Sequence, residues 1–135
     1  MRLPGLTWWE AELPTDEQAA GLLEAGASPD VVLAHEALAV PGLLQRLGDG
    51  RGWHPDDLAY ARESQKVHTE RVLSVLDPDK EALCVAGHYH FRHSERAVLN
   101  GVPVRLEILD RDGSADALAV LDLSGSAPCF EGAMG

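Results

Sequence analysis

Apolar positions in this chain fall into two kinds of pattern, short unbroken runs and longer stretches with helical spacing. Val31 to Ala34 and Leu83 to Ala86 are apolar without alternation, which suits strands covered on both faces in a parallel or mixed sheet. A helical pattern precedes each. Thr15-Asp16-Glu17-Gln18 has capping-box spacing, and Ala19, Leu22 and Leu23 form a stripe ahead of Gly26, predicting a helix over 16–25. Pro55, followed by Asp56 and Asp57 in the first turn, opens a longer helix reaching residue 76. Leu58, Ala61, Gln65, His68, Val72 and Leu76 share one of its faces. Helix, turn and buried strand thus occur twice, ending at His35 and at His88. Between them, residues 36–54 contain Gly42, Gly48, Gly50 and Gly52 and read as a loop.

The pattern changes after His93. Asn100-Gly101 and Asp112-Gly113 are tight-turn dipeptides separating β-prone runs at 97–99, 102–109 and 117–123. Val104, Leu106 and Ile108 alternate with Arg105 and Glu107, as in a strand with one buried face. The expected fold class is therefore α/β with a C-terminal antiparallel β-meander, one domain over residues 1–123 and a loose tail over 124–135. Trp8 and Trp9 stand close to the chain start, where small polar residues are usual. They suggest an interior segment exposed by truncation, and an uncovered sheet edge through which copies of the chain would associate.

Composition narrows the partners. The chain has 135 residues, 45% hydrophobic and 24% charged, and carries a formal charge of −11. That charge repels phosphate backbones, so long nucleic acids and anionic membranes are poor partners. No run nears the roughly 18–20 apolar residues of a membrane span, and no basic region followed by an apolar run marks a signal peptide. Cys84 and Cys129 do not make a disulfide framework, and Cys84 reads as a small core residue. A cytoplasmic location is the expectation.

The chemistry concentrates in Gly87-His88-Tyr89-His90. If the backbone stays extended, His88 and His90 project from one face. Placed after a buried strand, they could share one metal ion or bind two adjacent ones; the alternative is a polar strand rim. His35 occupies the equivalent place after the first strand, at the sheet edge where α/β proteins bind ligands. His54, His68 and His93 are expected outside the site.

With these residues placed, the chain resembles the calcineurin-like metallophosphoesterases over residues 5–123, specifically their C-terminal half. Val31-Val32-Leu33-Ala34-His35-Glu36 resembles the family's strand with a lone histidine, and Val85-Ala86-Gly87-His88-Tyr89-His90 its Gly-His-x-His motif. The resemblance implies part of a two-sheet αββα sandwich and divalent metal ions (manganese, zinc or iron). It implies that His35 and His88 ligate one ion and His90 the other. The family's earlier motifs, Asp-x-His, Gly-Asp-x-x-Asp and Gly-Asn-His, are absent from this sequence. Without their carboxylates, nothing offsets the repulsion of two ions about 3.5–4 Å apart. Three neutral imidazoles suit a single zinc or similar ion. The expectation is a metal-dependent phosphoester hydrolase lineage, inactive alone and acting on a phosphoester only with a complementary chain. A non-catalytic metal-binding or interaction module is the alternative, and a small acidic structural protein with incidental histidines a third.

Overall fold

The computed structural model describes residues 28–52, 54–125 and 128–132, with Glu17, Ala20, Gly21 and Glu24 helical ahead of them. Trp8 and Trp9 and most of the helix expected over 16–25 lie outside the described residues. Among these residues the fold is mixed α/β, with helices α1 (Pro41–Leu47) and α2 (Pro55–Val75) and strands β1 (Val31–Ala34), β2 (Ala82–Ala86), β3 (His93–Leu99), β4 (Val102–Ile108), β5 (Ala119–Asp122) and β6 (Cys129–Gly132). The strands form a four-stranded sheet in the order β1-β2-β4-β3 and a two-stranded sheet of β5 and β6.

β2 runs parallel to both β1 and β4, whereas β3 is antiparallel to β4. The registers put Val32, Cys84 and Leu106 side by side, and Ala34, Ala86 and Ile108 one step further along the same face. That face meets the helices through Val72, Leu73 and Leu76, together with Leu38, Val40 and Leu43. Val104, Leu106 and Ile108 are completely buried there, each such side chain contributing about 1.5–3 kcal/mol. Cys84 belongs to this core, where burial pushes its thiol up to about 12.

Several expectations need correction. Residues 41–47 are not loop but helix α1, opened by Pro41 and closed at Gly48, whose φ is 67°. β1 is not covered on both faces, for Leu33 remains 72% exposed. The antiparallel meander is confined to the β3–β4 hairpin, which turns at Asn100 and Gly101 with φ 50° and 85°, positive values suited to an Asn-Gly turn. β4 then continues the main sheet beside β2, and β5 pairs instead with β6. Cys129–Gly132, expected within a loose tail, is that partner strand.

The outer face of β4 is also not solvated as its alternation implied. Glu107 is completely buried and receives Arg92 at 2.6 Å, Arg105 at 2.7 Å and the Ser94 hydroxyl at 2.8 Å. Phe130 of β6 lies under both guanidiniums, which sit 5.4 and 6.0 Å from its ring centre. A buried carboxylate needs such partners, since unpaired it would cost several kcal/mol.

A histidine pair at the sheet's C-terminal edge

Because β1, β2 and β4 run parallel, the segments following them gather at one edge of the sheet. His35 and Glu36 follow β1, Gly87 to His90 follow β2, and Leu109 and Asp110 follow β4. Two backbone bonds stitch the three together: Gly87 N donates to His35 O at 3.3 Å, and Leu109 N donates to Ala86 O at 3.0 Å.

At this edge His35 Nε2 and His88 Nδ1 approach to 2.9 Å, with ring centres 4.8 Å apart and planes at 79°. Both side chains are exposed. The contact is a hydrogen bond with one proton between two ring nitrogens, and it lies open to an incoming ligand.

The extended backbone expected over 87–90 is not found. His88 and His90 both have positive φ, 69° and 56°, and Tyr89 N donates to Gly87 O at 2.8 Å across a tight turn centred on His88. A positive-φ turn of this kind is rare and strained for a residue other than glycine. The coil also ends the period-two argument that put His88 and His90 on one face. Hydrogen bonds from Ser114 and Arg111 hold the Asp110 carboxyl below its usual range, with the charges of Arg111 and His90 acting the same way. Of the three expected ligands, the structure brings His35 and His88 into contact. Among the described residues, no group of three or more His, Cys, Asp and Glu side chains could hold a metal ion.

Beneath the pair is a polar bridge that the sequence reading did not single out. The Tyr89 hydroxyl donates to Glu36 Oε1 at 2.7 Å and accepts from Gln65 Nε2 at 3.0 Å. Gln65, buried on α2, also donates to Ala37 O at 3.4 Å, while Thr69 one turn on accepts from Ala39 N at 2.9 Å. The available signal was a glutamine among the apolar positions of the α2 face, because a buried amide demands partners. Burial pushes the Tyr89 phenol far up, and the bond to Glu36 and its charge push the same way, so Tyr89 acts as a neutral donor.

The other histidines have separate tasks. His68 packs near Glu36; burial pushes its imidazole down, against the charge and carbonyl of Glu36, which favour the protonated form. His54 caps α2, its Nδ1 accepting from Asp56 N at 3.4 Å. His93 bonds Glu95 at 2.9 Å. No helix among the described residues is long and apolar enough to cross a membrane. No protein family, curated protein or solved structure matches this chain.

Proposed function

We propose that the chain carries half of a divalent-metal site of the calcineurin-like metallophosphoesterase kind, within that hydrolase lineage and its two-sheet αββα sandwich. The observation that carries this reading is the 2.9 Å separation of His35 Nε2 and His88 Nδ1 at the ends of adjacent parallel strands. Two nitrogens bound at about 2.0–2.1 Å and at right angles on one ion stand about 2.9 Å apart, against about 3.3 Å in a tetrahedron. The pair is close enough for both nitrogens to turn onto one ion of manganese, zinc or iron once the hydrogen bond between them opens. A bound ion supplies Lewis acidity towards a phosphoryl oxygen and lowers the pKa of water.

The chain's own contribution is binding and orientation. His35 and His88 would hold the ion as neutral imidazoles, the proton of the bond between them moving to the other nitrogen of its own ring. His90 is the residue that the resemblance gives to a second ion. With no Asp-x-His, Gly-Asp-x-x-Asp or Gly-Asn-His motif in the sequence, the remaining ligands come from a complementary chain or segment, and a phosphoester is turned over only then. The exposed Leu33 on edge strand β1 is where this reading seats that partner or a second copy. Sedimentation velocity over a range of concentrations is expected to show association that Leu33→Lys weakens.

The direct test combines metal analysis of the purified protein with an aryl phosphate assay in manganese or zinc. Bound metal with negligible turnover is the expected result. Robust turnover lost in His88→Ala would contradict the half-site. The two-ligand set itself favours one second reading, a non-catalytic metal-binding or interaction module, and the same assay separates it through failure of any complementary chain to restore activity.

A further inference from the structure

Two contacts cross from the segment after β1 to the segment after β2, and they are consecutive in sequence on both sides. His35 meets His88 at 2.9 Å, and Glu36 meets Tyr89 at 2.7 Å. The imidazoles are exposed, whereas Tyr89 and Glu36 are half-buried and Gln65 behind them is buried. The second contact is anchored to α2 through Gln65, which also donates to Ala37 O.

We infer that Tyr89, acting through Glu36 and Gln65, is a positioning residue that fixes the His35–His88 pair in its ligand-binding geometry. This rests on reading the pair as metal ligands. Three observations lead to it. The His88 backbone is held at φ 69°, a conformation that persists only where its surroundings enforce it, and the Tyr89 ring packs edge-on against His88 with centres 4.9 Å apart. Glu36 Oε1 also accepts from Ala37 N at 2.9 Å, so the carboxylate stabilises the turn leaving His35 while it accepts from Tyr89. Phe91 extends the clamp, its ring 5.9 Å from Tyr89 and covered by the Arg46 guanidinium at 3.8 Å. Groups hydrogen-bonded directly to metal-binding histidines typically change metal affinity by about 10–100-fold when removed, and Tyr89 acts one step further back, through its packing on His88.

The experiment uses the full chain, freed of metal by a chelator, and reads the ring nitrogens of His35 and His88 by long-range ¹⁵N–¹H NMR. The wild-type rings are expected to hold one fixed tautomer each. Tyr89→Phe, which removes a single oxygen, should let both tautomers average and weaken Zn²⁺ binding about 10-fold or more. Glu36→Gln should move the same signals in the same direction, and serves as the second variant should Tyr89→Phe lose its fold by circular dichroism. Unchanged ring signals in the folded variants, or rings already averaging in the wild type, would overturn the inference. A wild type that binds no Zn²⁺ but shows ring signals dependent on Tyr89 would defeat the metal reading and leave the positioning role standing.

Discussion

His88 carries a conflict between conformation and chemistry, since φ 69° costs a non-glycine residue on the order of 1–3 kcal/mol. His88→Gly is therefore expected to leave chemical-denaturation stability unchanged or raise it by about 1 kcal/mol while abolishing metal binding. A clear loss of stability would mean that the His35 contact outweighs the strain. The Glu107 carboxylate is the opposite case, bonded to two guanidiniums and a hydroxyl with no exposure. Glu107→Ala should cost about 3 kcal/mol in urea unfolding, because Arg92 and Arg105 lose their shared partner in a largely dry setting. At this scale the sequence was partly legible. His35 and His88 could be picked out because each directly follows an apolar run, and parallel pairing brings such ends together. Two-residue periodicity does not put His90 on the face of His88, because it needs extended backbone and both residues have positive φ. Glu107 was read as solvated, since alternation on β4 reveals the face that packs on helices but not what covers the other one.

α1 shows how an element can be both signalled and hidden. Pro41 at the start, Leu43, Leu44 and Leu47 at helical spacing and Gly48 at the end are all helix signals, but four nearby glycines made the segment look like a loop. Its cap was not legible at all. Glu95 reaches across from β3 and accepts from Gly42 N at 2.9 Å and Leu43 N at 3.1 Å. Gly42 is required for that approach, because a Cβ there would stand 2.6 Å from Glu95 Oε2. Gly42→Ala should accordingly destabilise by about 1–2 kcal/mol, the typical worth of a helix cap. Burial alone would push the Glu95 carboxyl up, but hydrogen bonds from Gly42, His93 and Leu43 and the nearby His93 charge hold it below its ordinary value. A carboxyl depressed in the folded state stabilises fully above its unfolded pKa of about 4.3 and loses that contribution as pH falls through the folded value. Thermal unfolding of wild type and Glu95→Gln should thus differ most at neutral pH and converge in acid, as pH falls through the lowered folded value. A difference that persisted into acid would show that Glu95 contributes through packing.

Across the whole molecule, β1, β2, α2 and the β3–β4 hairpin were legible because their signals are local: apolar runs, a proline-opened helix and an Asn-Gly turn. Strand order was not. Whether the run after Asp112-Gly113 joins the hairpin or pairs with Cys129–Gly132 depends on long-range contacts, and β5 takes the latter. Insertion of β4 beside β2 brings Asp110 to the same sheet edge as the segments carrying His35, His88 and His90. The central claim is that this edge presents His35 and His88 as paired ligands for one ion, and calorimetric titration of the metal-free chain with Zn²⁺ tests it most directly. The account predicts one equivalent bound, binding lost in His35→Ala and in His88→Ala, and little change in His90→Ala. Binding that survives either of the first two substitutions, or no binding by the wild type, would contradict it.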